Sequence, residues 1–371
     1  MTPTKSADLL LRTIEVEGYR GIGRLQLPKL GRVNLVVGEN NAGKTSFLEA
    51  VQLYATRTPR TVLASILRER TNFRPRFRSA TYDEVTPEQV SAVVESVRSL
   101  FYGNFSGLVG NAIRVAATDD PGQALVISLP WATSTTGEES GGELLELFLG
   151  PESPLVHIER GGKLTELSLD WFLKRFGIML TGTSQSTAFV PAQGFDRARL
   201  AEMWDQAASA GYAPQVEEAL RAIIPALERV YLLGESASGG RAVALQLSDT
   251  LRPVPLTSMG DGTNRVFGLA LACVRSRGGV LLVDEVENGL HHTVQLEVWE
   301  CLFKLAEELN VQIFATTHSW EAVVGFQHAA NRSLAEGMLY RLERQPDGTI
   351  DPVAFTEAEV AIAARHDVEI R

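Results

Sequence analysis

The sequence predicts an α/β fold built on a mixed sheet, and three features carry that prediction. An apolar strand, Asn34 to Val37, runs into a glycine-rich loop and then a helix. A second apolar run, Gly278 to Val283, ends in two adjacent carboxylates. Strand and helix patterns then alternate again through the last third of the chain.

Taken in order, Thr13 to Val16 and Val33 to Val37 read as strands, with turn signals from Gly18 to Gly23 between them and Pro28 breaking continuity. After Gly43 the period becomes helical, and Phe47, Leu48, Val51, Leu53 and Tyr54 form one apolar face. Seven arginines and one acid lie between Arg57 and Arg78. Thr86 to Leu100 predicts an amphipathic helix opened by Thr-Pro-Glu. Between Ile113 and Asp170 the runs are short and β-rich, such as Leu125 to Leu129 and Val156 to Ile158. Within them TSTTGEESGG, Thr133 to Gly142, has the composition of a mobile loop. Ala198 to Leu233 reads as mostly helical, divided by Pro214 and Pro225. A strand at Val280 to Val283, a helix from about Thr293 to Leu309 and a strand at Val311 to Ala315 follow. The segment from Asp347 to Arg371 reads as completing the edge of the sheet.

With 35 basic and 45 acidic side chains, the chain's net charge of −10 excludes a surface that binds nucleic acid all over. Any DNA contact is expected to be local. The two cysteines, Cys273 and Cys301, have no CxxC spacing and no neighbouring histidines, so neither a disulfide framework nor a zinc site is expected. No run approaches the roughly 18 apolar residues of a spanning helix, and a cytoplasmic protein without a membrane partner is the expectation.

Gly38 to Ser46, GENNAGKTS, satisfies G-x-x-x-x-G-K-[ST] between a strand and a helix. Glycines allow successive amides to point at phosphate oxygens, and the following helix adds its positive end. Lys44 is expected at the β- and γ-phosphates and Thr45 on Mg²⁺. A chance Gly-Lys-Thr turn does not account for both flanks. In GGVLLVDE, Asp284 is the expected Mg²⁺ ligand and Glu285 the residue that polarises the attacking water. A helix N-cap with an acidic first turn explains one carboxylate more easily than two. His318 in ATTHS ends the next strand; alone it reads as a surface residue, but its place after the acidic motif makes it a candidate γ-phosphate sensor. In LTSMGDGTNR, Ser258, Gly260 and Gly262 precede an apolar helix, Val266 to Val274, and form a second anion-binding helix end. The simpler reading of that segment is a glycine-rich cap.

Together GENNAGKTS, LTSMGDG, LLVDEVENGLHH and TTHS resemble the P-loop ATPase head of the ABC type in its OLD-like and RecF-like group. They come close to the ATPase half of overcoming-lysogenization-defect nucleases and its stand-alone relatives. The resemblance covers most of the chain. It implies one ATPase domain over residues 1–371, with an inserted helical and basic segment at 57–110, a β-rich subdomain at 111–170 and a helical arm region at 198–233. ATP and Mg²⁺ are the implied cofactors, and a head-to-head homodimer is the implied assembly. In it, Gly38, Asn40, Asn41, Ala42, Gly43, Lys44, Thr45 and Ser46 of one copy hold the nucleotide. Ser258, Gly260, Asp261 and Gly262 of the other copy close on the γ-phosphate, and Glu287 to His291 link the two sites. IEVEGYRGIGRLQL resembles the group's first strand and loop, where the counterpart of Arg20 touches nucleotide. FVPAQ makes Gln193 the match for a glutamine near Mg²⁺ and water; the other reading of Gln193 is a solvated loop residue.

The 65 or so residues between Gln193 and Ser258 carry no sustained heptads, which excludes a long coiled-coil arm. About 50 residues follow His318, too few for the nuclease domain of full-length OLD enzymes. An ATP-driven switch in anti-phage defence or DNA surveillance, acting with a separately encoded nuclease or toxin-like effector, is therefore expected. The alternative is a RecF-like mediator that clamps DNA through Arg57 to Arg78, with Phe73 and Phe77 interleaved. Those arginines could equally pair with acids elsewhere on the chain.

Overall fold

The computed structural model describes residues 9–56, 58–70, 87–104, 112–130, 154–168, 187–234, 241–356, 359–360 and 362. Its centre is set by three strands that are apolar on both faces: β3 (Val33–Val37), β12 (Val280–Val283) and β13 (Gln312–Thr316) are buried along their whole length. Alternate residues of a strand face opposite sides, and the core divides accordingly. Leu35, Leu281, Val283 and Ile313 meet the helices Asp261–Arg275, Gln295–Glu308 and Trp320–Arg332 on one side. Val36, Leu282 and Phe314 meet the helix Lys44–Ala55 on the other, where Phe47 packs edge-on against Phe314 with centroids 6.1 Å apart. Helices on both faces are what a parallel sheet requires.

The remaining strands are β1 (Ile14–Tyr19), β2 (Ile22–Leu27), β4 (Ile113–Ala117), β5 (Asp120–Ser128), β6 (Pro154–Arg160), β7 (Lys163–Ser168), β8 (Thr187–Val190), β14 (Gly337–Arg344) and β15 (Thr349–Phe355). With the central three they make a 12-stranded sheet in the order β7-β6-β5-β4-β1-β2-β15-β14-β3-β13-β12-β8. β3, β8, β12, β13 and β14 run parallel to their neighbours in that set, whereas β1, β2 and β4 to β7 pair antiparallel, so the sheet is mixed as expected. The β-rich run after Ile113 continues this same sheet through the pairing of β4 with β1.

Three expectations are corrected. The turn signals between Gly18 and Gly23 are confined to Arg20 and Gly21, and Ile22–Leu27 is a strand paired back on β1. A two-residue hairpin fits because Arg20 adopts φ 51°. The helical run from Ala198 ends early: helices Arg197–Ser209 and Ala213–Arg221 are followed by β9 (Leu227–Leu233). Pro225 breaks the helix, and LERVYLL, rich in β-formers, pairs with β10 (Ala242–Leu247), which in turn pairs with β11 (Val254–Pro255). Finally, the C-terminal hairpin is central rather than peripheral, since β14 lies on β3 and β15 on β2.

The helix opened by Thr-Pro-Glu spans Pro87–Arg98. A helix also covers Pro59–Arg70, on which Arg60 is exposed. Arg57, Phe73, Arg74, Arg76, Phe77, Arg78 and the loop Thr133 to Gly142 lie outside the described residues, as do 363–371. No described helix is long and apolar enough to cross a membrane.

The hairpin turn of β14 and β15 is locked in place. Gly23 donates its N–H to Gly348 O at 2.8 Å, and Tyr102 donates its hydroxyl to Asp347 O at 3.1 Å. Gly348 has φ 84°, and a Cβ on it would fall on the Tyr102 hydroxyl. Gly348→Ala is therefore expected to lower stability by about 1–3 kcal/mol, read as a reduced urea midpoint at constant slope. An unchanged midpoint would show that the turn does not depend on this glycine.

Candidate active site

The loop Gly38 to Gly43 leaves β3 and turns at once into the helix Lys44–Ala55. Gly43 caps that helix at φ 97°, where a side chain would press Ile350 at 2.9 Å. Asn41 also adopts the left-handed region, at φ 65°. Glu39, Asn40 and Asn41 are exposed, Ala42 is buried, and Thr45 and Ser46 are half-buried. The Lys44 ammonium is folded back beneath the loop, donating to Gly38 O at 2.6 Å and Glu39 O at 2.8 Å, and it lies 3.3 Å from His318 Nδ1. Burial lowers its pKa to about 8, against the opposing pull of Asp284, Glu285 and Glu287.

Because β8, β12, β13 and β3 are parallel and in register, Val190, Val283, Ala315 and Leu35 stand side by side, and the segments that follow emerge at one end of the sheet. Asp284 continues the pairing with an N–H to Val190 O at 2.9 Å. Its carboxylate accepts from Thr45 Oγ1 at 3.1 Å and from Thr316 Oγ1 at 2.6 Å. The same Thr316 hydroxyl accepts the Glu285 N–H at 2.9 Å. Glu285 is held at φ 46°, a conformation that costs a non-glycine residue about 1–3 kcal/mol and persists only where its surroundings enforce it. Its carboxylate accepts from Asn288 Nδ2 at 2.6 Å and lies 3.9 Å from His318 Nε2. The structure thus brings Lys44, Thr45, Asp284, Glu285 and His318 into one cluster. Thr45 and Asp284 offer adjacent hard oxygens of the kind that Mg²⁺ accepts alongside phosphate and water.

Sequence reading missed Thr316 and Arg265, and it named Glu287 only as the start of the linking segment. Thr316, inside the quoted ATTHS, bridges both carboxylate-bearing residues. Arg265, 5% exposed, donates to Pro191 O at 2.7 Å and to Asp284 O and Glu285 O at 2.8 Å each. Desolvation lowers its pKa to about 10. The available signal was a cation directly ahead of the apolar run Val266 to Val274. Glu287 accepts the His318 N–H at 2.7 Å and so fixes the sensor candidate from the preceding loop.

The helix end expected to bind a second anion follows the strand Val254–Pro255. A 3₁₀ turn at Leu256–Ser258 leads into the helix Asp261–Arg275, capped by Gly260 at φ 86°. Ser258, Gly260 and Asp261 are exposed, and Gly262 is half-buried. Gly262 lies against Gly289 O, where a Cβ would sit 3.1 Å away. Gln193, exposed on the loop after β8, lines a cavity of about 860 Å³ together with Asp261, Asn264, Arg265 and Asn288. Arg20 is engaged elsewhere: its Nε is 2.9 Å from Glu49 Oε2 and donates to Tyr19 Oη at 3.2 Å, with the side chain 14% exposed.

A family model described as "AAA domain, putative AbiEii toxin, Type IV TA system" matches residues 189–324, and one for a protein of unknown function (DUF2813) matches residues 9–61. An ATP/GTP phosphatase of Helicobacter pylori is 20% identical over 347 residues, 85% of this chain and 86% of that one. The uncharacterized protein MJECL11 of Methanocaldococcus jannaschii is 33% identical over 100 residues, 27% of this chain and 87% of the archaeal one. This chain and MJECL11 belong to one family. Among solved structures, an SMC head bound to the C-terminal winged-helix domain of ScpA aligns with a TM-score of 0.50 at 11% identity, over 93% of this chain and 97% of that one. An SMC head from Pyrococcus furiosus with an extended coiled coil, bound to the C-terminal domain of ScpA, aligns with a TM-score of 0.50 at 10% identity, over 97% and 99%. The fold is that of a P-loop ATPase head of the ABC type, and the chain is of the AAA/ABC ATPase class.

The buried ammonium gives a direct check on the cluster. In a lysine-methylated sample followed by ¹³C NMR, one resonance is expected to titrate near pH 8, the Lys44 value, and to be missing from Lys44→Arg. Titration of every lysine in the ordinary range near 10.4 would contradict the burial described.

Proposed function

We propose that this chain binds ATP with Mg²⁺ and hydrolyses it as an ABC-type switch whose sites are completed when two copies meet head to head. The observation that carries the reading is the shared Thr316 hydroxyl, which sets Asp284 against Thr45 and turns Glu285 toward His318, beside Lys44. Phosphoryl transfer needs positioning and charge stabilisation more than covalent chemistry, and this cluster is arranged for both.

In this reading Lys44 leaves the carbonyls of Gly38 and Glu39 for the phosphate chain, guided by the amides of Asn40 to Ser46. Thr45 and Asp284 hold Mg²⁺, with Gln193 approaching from the loop after β8. Bound Mg²⁺ would neutralise charge on the β- and γ-phosphate oxygens. Glu285 orients the attacking water and accepts its proton, and His318 contacts the γ-phosphate. Ser258, Gly260, Asp261 and Gly262 of the second copy supply the capping helix end. We read residues 1–371 as one ATPase domain, with an inserted helical and basic segment at 57–110.

The finer assignment is an OLD-like or RecF-like switch in prokaryotic defence that drives a separately encoded effector. The toxin-system description of the family model supports the defence role. The ATP/GTP phosphatase relative supports hydrolysis, and the ScpA-bound neighbour supports a separately encoded protein partner.

Glu285→Gln is expected to keep ATP binding, to lower turnover about 10²–10⁴-fold as loss of a general base does, and to accumulate as an ATP-bound dimer by light scattering. Undiminished turnover would remove Glu285 from the chemistry. Lys44→Ala is expected to abolish binding by calorimetry, and normal affinity in that variant would rule against the phosphate-loop assignment.

A further inference from the structure

The C-terminal hairpin forms one wall of the phosphate loop. Val37, the last residue of β3, pairs with Arg341 on β14, so Leu342, Glu343 and Arg344 continue alongside the loop after β3 has ended. Three contacts follow along that wall. Leu342 O lies against Gly38, where a Cβ would be 2.8 Å away. Arg344 Nη1 donates to Asn41 O at 3.2 Å. Ile350 packs on Gly43. Arg344 also reaches the first hairpin, donating through Nη2 to Gly21 O at 2.8 Å.

This guanidinium is exposed, and both of its hydrogen-bond partners are neutral carbonyls. The nearby acids are already engaged, Glu343 by Arg341 and Asp351 by Gln345 Nε2 at 2.8 Å. Among the described residues no carboxylate forms an ion pair with Arg344. Arg20, by contrast, is committed to Glu49 and Tyr19. A full positive charge without a carboxylate counter-ion among the described residues therefore sits on the rim shared by the phosphate loop and the first hairpin. A planar fork of donors that is always charged suits a phosphate chain.

We propose that Arg344 is a nucleotide-binding residue, which contacts the phosphates of bound ATP from the rim of the loop while tethering the loop to the first hairpin. The inference rests on the ATP-binding reading above. It gives Arg344 the exposed cationic contact that the sequence resemblance led one to expect of Arg20.

Arg344→Gln tests it, because glutamine keeps a donor for the carbonyl tether and removes the charge. Affinity of the full chain for ATP and for ADP, measured by calorimetry without reference to turnover, is expected to fall about tenfold, a difference of 1.4 kcal/mol, with the melting temperature of the nucleotide-free protein unchanged. Arg20→Gln measured in parallel is expected to lose stability more than affinity. Affinity within about twofold of wild type in a folded Arg344→Gln would overturn the proposal and leave Arg344 a tether only. If that variant does not fold, Arg344→Lys decides: affinity within about threefold of wild type supports a charge contact, and a larger loss overturns it. Wild-type protein that binds neither nucleotide would refute the ATP reading itself, and this inference with it, so the two failures are told apart.

Discussion

One hydroxyl organises the site. Thr316, fully buried at the end of β13, donates to Asp284 and accepts from the Glu285 amide, so a single atom on one strand fixes two consecutive residues on the next. That bond can form only because β12 and β13 are parallel and in register, with Val283 beside Ala315. It also helps to hold Glu285 in a backbone conformation that glutamate adopts at a cost, which is the usual state of a residue whose direction matters more than its comfort. Slippage of either strand by one residue would reverse the faces of every side chain in it and dissolve the arrangement.

Arg265 fixes the same corner from the other side. Its guanidinium is removed from water, which is costly for a charge, and the compensation comes from three main-chain carbonyls on two loops. The helix capped by Gly260 is thereby tied directly to the backbone of Asp284 and Glu285. Gly262 against Gly289 and Asn288 on Glu285 add a parallel connection. A displacement of that helix end cannot leave the carboxylates undisturbed, because Arg265 bonds the main chain of both residues.

The parts of this protein legible in the sequence are those whose chemistry leaves few options. VNLVV and VLLV are too apolar to be anything but strands covered on both faces, and GENNAGKTS needs its glycines where the backbone turns left-handed. Paired carboxylates at the tip of a buried strand are likewise hard to place otherwise. What escaped was set by tertiary context. Ile22–Leu27 and Leu227–Leu233 gain their strand character from partners across a tight hairpin and a sheet, not from local pattern alone. Thr316 is an ordinary residue whose importance lies in what it reaches, and Arg265 shows in the sequence only as a cation ahead of an apolar run. The place of the last hairpin is the extreme case, because strand order is invisible in a string of alternating residues.

That hairpin has a consequence for how the protein comes into being. β15 pairs with β2 and β14 with β3, so two strands adjacent in sequence are joined in the sheet only through two made much later in synthesis. Pairings this distant along the chain are slow to close and arrive late. While a ribosome is still translating the middle of the chain, the edges of β2 and β3 stand open, and open strand edges invite association with other chains. The nascent protein thus holds the loop Gly38 to Gly43 without one wall until this hairpin docks.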